Sequence, residues 1–211
     1  MTFSLKNYKI KALILVTIIL YVVISQITSF VIGFLEVYWK DIGIIKAPGT
    51  SALILTFFGF YDKKLWNKKW FNKLVTVPDI SGRYVGSLRY FHNGGGERKC
   101  TLEITQTGST TLIRGYFQNE IGDISLSESS IVEITETGGF YDIIFIYQND
   151  GVLGKQSYSQ HIGVNSLRLL TLNSNQKVLS GKYFNNRETK KGCGQGLVEV
   201  KYESKTLKGT I

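Results

Sequence analysis

From Ala12 to Leu35 the chain runs for 24 residues without a charge, and after a short polar break it is uncharged again from Ala47 to Tyr61. A helix needs roughly 20 apolar residues to cross a hydrocarbon core of ~30 Å, so the first segment is long enough to span with some tilt. The second has 15 uncharged residues, reaching about 22 Å, so as a span it either places Lys46 and the Trp66 region at the headgroups or thins the bilayer. A cleaved signal peptide is the rival for the first segment. Its apolar stretch would be ~7–15 residues ending in a small-residue cleavage site, whereas here the run flows into Glu36, Val37, Tyr38 and Trp39.

Beyond Pro78 the period of the pattern changes to two. β-branched and aromatic runs at 83–91, 98–107, 111–118, 125–134, 140–148, 156–164, 166–172, 178–184 and 195–203 predict eight or nine strands. Thr107-Gly108-Ser109, Gly138-Gly139, Asn149-Asp150-Gly151, Asn173-Ser174-Asn175 and the Gly192–Gly196 stretch supply the turn chemistry between them, and Gly94-Gly95-Gly96 reads as a hairpin tip. With no helix after residue 78 to cover a sheet, the layers must be sheet on sheet or one sheet closed on itself; closed, it is an antiparallel, roughly eight-stranded up-and-down β-barrel following two transmembrane helices. Such a barrel has an interior either filled by side chains or wide enough for one small ligand. The expected organisation is a two-helix transmembrane region over 1–62, a basic-aromatic juxtamembrane segment over 63–77, and the barrel over 78–211.

Alternation sorts some faces. Tyr84, Gly86, Leu88 and Tyr90 share one side of the first strand and Arg83, Ser87 and Arg89 the other; Cys100, Leu102 and Ile104 oppose Thr101, Glu103 and Thr105 in the second. Over 140–148 both faces are apolar, Tyr141, Ile143, Phe145 and Tyr147 on one and Ile144 and Ile146 on the other. That strand is expected to meet the membrane-proximal helix or a second subunit. Between the spans and the barrel, Leu65, Trp66, Trp70, Phe71 and Leu74 recur among five lysines, a spacing that suits either an interfacial amphipathic helix ended by Pro78 or a helix extension packing on the soluble domain.

Charge changes the picture of partners. Of the formal +9, residues 1–77 hold 10 Lys against 3 acids, while 78–211 hold 15 basic against 13 acidic residues. The excess flanks the apolar segments, Lys6, Lys9 and Lys11 before the first and Lys63, Lys64, Lys68, Lys69 and Lys73 after the second, so both ends are expected in the cytoplasm, with anionic lipid as neighbour. A groove tracking a nucleic-acid polymer would hold that excess in the soluble domain, so no such partner is expected.

The reactive inventory is small. Cys100 and Cys193 form no metal-ligand or CxxC spacing and are read as free thiols; His92 and His161 are the two histidines; no GxSxG, HExxH or P-loop pattern occurs. Neither a catalytic residue, a metal site nor a cofactor is expected. In the first span Ser25, Ser29 and Gly33 fall at i, i+4 and i+8 with Gln26 beside them, a small-residue stripe for close helix packing either within one hairpin or between subunits.

Four motifs in order carry a resemblance: Pro78-Asp79-Ile80-Ser81-Gly82-Arg83-Tyr84-Val85-Gly86 opening the barrel, Tyr147-Gln148-Asn149, His161-Ile162-Gly163, and the run from Leu179 to Arg187 before a glycine-rich stretch, all after a membrane hairpin. In this arrangement the chain resembles the CD-NTase-associated protein 15 family, membrane-anchored β-barrel effectors of bacterial CBASS anti-phage defence. Asp150, where such relatives would carry a proline, is a departure that bears on a loop. The resemblance implies a barrel that binds a cyclic dinucleotide made by a partner CD-NTase, then self-associates into a homo-oligomer and disrupts the inner membrane, ending in abortive infection. It implies a receptor and not an enzyme.

Two phosphates and two bases call for cationic or amide donors beside aromatic or Arg faces. The residues that fit are Tyr84, Arg114, Tyr116, Tyr147, His161 and Arg168, with Tyr141, Tyr158 and Tyr183 as further rings. Arg114 and Arg168 each face either solvent or the barrel interior. The alternative function is a lipocalin-like carrier of a small apolar ligand, which would need an interior free of Arg; a membrane-bound hydrolase would have to rest on His161.

Overall fold

The computed structural model describes residues 5–38, 49–91, 94–118, 122–152, 160–172, 176–189 and 192–211, without the side chains of 35–38, 152, 187–189 and 192–193. The chain divides into two compact units, Met1–Thr76 with Thr107–Thr110, and Val77–Gln106 with Thr111–Ile211. Lys40, Lys46, His92 and Tyr158 lie outside the described residues.

In the first unit α1 runs from Ile10 to Tyr38, 29 residues and about 43 Å long. Its window Ile10–Phe34 is long and apolar enough to cross a membrane. Ile14, Leu15, Ile18 and Phe30 are each more than half exposed, as a lipid-facing surface would be. The second helix is shorter than its sequence suggests. α2 covers Thr50–Phe60, 11 residues or about 16 Å, and passes at Tyr61–Leu65 into a π-helical turn, so among the described residues α1 alone has spanning length.

The amphipathic helix expected over 61–77 does not form. On a helix Trp66 and Trp70 would share a face, yet Trp66 is 3 % exposed and Trp70 87 %. Instead the segment folds as turns ending in a 3₁₀ turn at Asn72–Leu74, closed by the Tyr61 hydroxyl donating to the Phe71 carbonyl at 2.7 Å. Tyr61, Trp66 and Val75 are buried with Tyr8. A bridge pairs Tyr8 with Val75, and the Lys9 amide donates to the Leu74 carbonyl at 2.9 Å, so the start of α1 lies against the end of the juxtamembrane segment.

The second unit is a closed antiparallel barrel of eight strands in sequence order: β1 Gly82–Tyr90, β2 Gly96–Gln106, β3 Thr111–Gln118, β4 Ile124–Thr137, β5 Phe140–Val152, β6 His161–Thr171, β7 Lys177–Thr189 and β8 Gly192–Ser204. From His161 onward the expected runs 156–164 and 166–172 join in the single strand β6, because Asn165-Ser166 pairs on both sides without a break; 156–159 lie outside the described residues. Asn149-Asp150-Gly151 is not a turn either. Gly151, at φ +78°, forms a bulge inside β5, where the Asn149 amide donates to Ser127 Oγ and its carbonyl oxygen accepts from the Gly151 amide.

The faces follow the alternation. Ile80, Tyr84, Leu102, Ile104, Ile113 and Ile143 are joined by Leu167, Leu179 and Val200 in a core in which each is at most 3 % exposed, so side chains fill the interior. The two faces of β5 now separate: Ile143, Phe145 and Tyr147 are buried, and Ile144 is 42 % exposed. On the outer face Arg83 and Glu103 are nonetheless buried. The C-terminal segment lies over them, Lys208 and Gly209 amides donating to the Glu103 carboxylate and the Thr210 carbonyl accepting from Arg83.

Candidate functional site: the aromatic end of the barrel

At one end of the barrel, where β1 turns into β2 and β5 into β6, the inward positions change from aliphatic to aromatic and amide. Their order follows the pairing register: Gly96 opposite Tyr90, Tyr90 opposite Gly196, Gly196 opposite Tyr183, and Tyr183 opposite Asn165. One step along, Tyr147 lies opposite Gly163, Gly163 opposite Asn185 and Asn185 opposite Gly194. Each glycine leaves room that a neighbour fills. A Cβ on Gly163 would fall within the Tyr147 ring, one on Gly194 against the Asn185 amide, and one on Gly196 2.6 Å from the Tyr183 ring. The glycine-rich stretch 192–196 is therefore strand and not turn: at Gly194 and Gly196 the inner face of β8 admits the large cross-strand partners Asn185 and Tyr183.

Two aromatic pairs stand at this end. Arg98, half-buried on the same face of β2 as Cys100, holds its Cζ 5.0 Å from the centroid of the Tyr90 ring. His161 meets Tyr147 edge to face, centroids 6.2 Å apart at 84°. Burial pushes the Tyr147 phenol up to about 12, so at neutral pH it carries its proton and acts as a donor. Cys100, a free thiol beneath these groups, is buried, and its pKa is pushed up by that burial, so it is held as a thiol.

The six sequence-derived ligand residues divide. Tyr147 and His161 come together here. Tyr84 lies toward the opposite end, fully buried, its hydroxyl donating to the Ile80 carbonyl at 3.0 Å and its ring edge-on to Tyr202, so it is a core residue. Arg114 is on the outer face, its Nε donating to Glu128 at 2.7 Å; Tyr116 shares that face beside Glu103. Arg168 is outside too, with Nε and Nη2 on the Asp142 carboxylate at 2.7 and 3.1 Å. The physical reason is register: Ile113, Gly115 and Phe117 take the inward positions of β3, and Leu167 and Leu169 those of β6. Among further rings Tyr183 is buried at the aromatic end, while Tyr141 is half-buried near the β4–β5 turn beside Glu136.

Arg98 and Tyr90 were missed from the sequence. Alternation puts Tyr90 on one side of the first strand with Tyr84 and, extended backward from Cys100, puts Arg98 with Leu102 and Ile104 in the second; these sides are the inward ones in the barrel.

In the first helix the Ser25 hydroxyl donates to the Val22 carbonyl at 2.9 Å, within its own helix. Gln26, Ser29 and Gly33 are exposed.

A concave groove of about 470 Å³ crosses the outer face of β1, β8 and β7. Arg89, Lys182 and Lys201 border it with Glu199, Ser87 and Ser180. Its net charge would draw anions, but no aromatic ring lines it, so Arg89 alone could stack a base there. Cation, rings and amides meet at the aromatic end.

Residues 75–198 match the family model described as Cap15, cyclic dinucleotide receptor domain. The chain is 24 % identical over 142 residues to a CD-NTase-associated protein 15 from Yersinia aleksiciae, covering 67 % of this chain and 65 % of the relative. It is 29 % identical over 155 residues to one from Staphylococcus schleiferi, covering 72 % and 78 %. The alignment thus spans just under two thirds of the Yersinia protein's length. With the match running from the juxtamembrane turn into the last strand, the chain belongs to the CD-NTase-associated protein 15 family.

Proposed function

We propose that this protein is a membrane-anchored CBASS effector whose barrel binds a cyclic dinucleotide made by a partner CD-NTase and then assembles to disrupt the inner membrane. The observation that carries the ligand reading is the Arg98–Tyr90 pair at the same end as Tyr147 and His161. A cyclic dinucleotide offers two base faces and two phosphates; Arg98 gives a cation that both stacks and donates, Tyr147 a protonated hydroxyl, and the Asn185 and Asn165 amides further hydrogen-bonding groups. A carrier of an apolar ligand fits less well. The outward course of Arg114 and Arg168 would suit it, but the interior it would need is occupied by side chains.

Anchoring is supported by the length and exposure of α1, and the cytoplasmic placement of both ends by the lysine excess and the Tyr8–Val75 bridge, which puts the two ends of the apolar region side by side. The return arm is short, so its passage through the bilayer belongs to the proposal. Titration calorimetry of the full chain in lipid nanodiscs against a panel of cyclic dinucleotides, with linear dinucleotides as controls, tests the reading. Saturable binding of at least one cyclic member is expected, and silence across the panel rejects it.

A further inference from the structure

The outer face of β4 to β7 carries an apolar row that the barrel itself does not use. The register lines up Ile131 with Ile146, Ile146 with Val164 and Val164 with Phe184. Ile144 and Ile162 extend the patch along the strands. Ile131 is 58 % exposed, Ile162 53 % and Phe184 47 %, whereas scattered single apolar residues are what an ordinary soluble surface shows.

We propose that this face is where a second copy of the chain docks, with a two-fold axis parallel to the strands between β5 and β6. The inference builds on the assembly step of the proposed function and names its surface. Such an axis reverses the strand order and keeps the level along the strands. Ile146 of one copy then faces Val164 of the other, and the two meet at the centre, where the convex barrels approach most closely. One level along, the register runs Glu133, Ile144, Ser166, Lys182. The same operation sets Glu133 of each copy opposite Lys182 of the other at both margins, where the surfaces curve apart and the opposite charges attract across the gap. Asp142 and Arg168, already paired within the chain, come opposite each other's partners at the next level.

Charge complementarity selects the occupant. A patch docking on anionic lipid would be rimmed by cations; this one has an acid on one margin and a lysine on the other, self-complementary under the axis. The contact is convex and small, so it is expected to be weak in solution and to act between copies held in one membrane, where effective concentration is high.

Within one chain Glu133 and Lys182 stand on strands three spacings apart, about 14 Å along the surface, too far to pair with each other. A charge swap therefore reads a contact between copies. Full chain labelled for energy transfer is reconstituted in anionic vesicles, with thermal melting as the check on folding. Ile146→Asp and Glu133→Lys are each expected to lower association about tenfold, and Glu133→Lys combined with Lys182→Glu to restore it. Association unchanged by Ile146→Asp, or a double variant as poor as Glu133→Lys alone, overturns the proposal. So does a patch variant that lowers barrel–vesicle contact while leaving copy–copy transfer intact. Association is read both without and with the cyclic dinucleotide panel, so a chain that binds no member but passes the swap without it keeps this interface while losing the receptor reading.

Discussion

The Tyr8 hydroxyl donates to Oδ1 of Asp62 across 2.6 Å in a buried setting, and Oδ2 of the same carboxylate accepts from Ser109 at 3.0 Å. The Asp62 backbone carbonyl takes the Gly108 amide at 3.0 Å, so one residue ties the start of α1, the turn after α2 and the β2–β3 turn together inside the first unit. Leaving a buried carboxylate short of a donor costs about 1–3 kcal/mol. Tyr8→Phe is expected to speed hydrogen exchange at the Gly108 amide roughly tenfold, the rate equivalent of about 1.4 kcal/mol if opening is local. Amide exchange of the full chain by mass spectrometry reads this, and an unchanged Gly108 would show that the tie carries no stability.

Arg83 and Glu103 pair at 2.9 Å on the outer face, both nearly fully buried, with Glu203 on Arg83 Nε at 2.7 Å. Burial works to raise the Glu103 pKa, but the Lys208 amide, the Arg83 guanidinium and the Gly209 amide together hold it below the ordinary carboxylate value. A carboxyl whose pKa is lower folded than unfolded contributes stability above the unfolded value and loses it as pH falls through the folded one. Urea midpoints taken from about pH 7 down to about pH 3 should fall at the acid end, and Glu103→Gln should flatten that part of the curve. Arg83→Ala strands the carboxylate and is expected to cost about 3 kcal/mol, whereas replacing both partners by Met and Leu should cost less.

Two glycines on neighbouring strands should respond unequally to the same substitution. A Cβ at Gly181 would collide with backbone, the Ser166 carbonyl and Leu167 Cα, which cannot move without distorting the β6–β7 pairing. A Cβ at Gly163 meets the far end of the Tyr147 ring, which can tilt. Gly181→Ala is expected to cost about 3 kcal/mol and Gly163→Ala about 1 kcal/mol. Chemical denaturation of the two variants compares them, and equal losses would show that the ring is as fixed as the backbone.

The strands were legible because period-2 alternation survives wherever one face is buried; Tyr84 and Cys100 took the side the pattern gave them, whereas Tyr147, on a strand apolar on both faces, is placed only by the barrel. Errors arose where residue chemistry usually means a turn. Gly192-Cys193-Gly194-Gln195-Gly196 reads as loop by composition and as strand by period, and the period decided, since Tyr183 and Asn185 occupy the spaces the glycines leave. The ligand residues were harder. Arg114 between Ile113 and Gly115 has no local sign of its direction, and the Glu128 that draws it outward lies on the next strand. The spacing of Trp66 and Trp70 suits a helix, but burial of Trp66 with Tyr8 depends on a contact 58 residues away in sequence.

Arg98 separates stacking from charge at the aromatic end. Its guanidinium lies over Tyr90, a geometry in which a planar cation both covers a ring and donates along its edge, whereas a lysine keeps the charge alone. If a cyclic dinucleotide seats there, Arg98→Ala is expected to weaken binding at least tenfold and Arg98→Lys to recover part of that loss, most visibly in low salt, where an unstacked charge counts for more. Arg114→Ala, on the outer face with Glu128, serves as the control and should bind as the parent does. Calorimetric titration of the four proteins in nanodiscs gives the affinities. A binding chain in which Arg98→Ala keeps the parent affinity and Arg114→Ala loses it would move the site from the aromatic end to the outer face of β3.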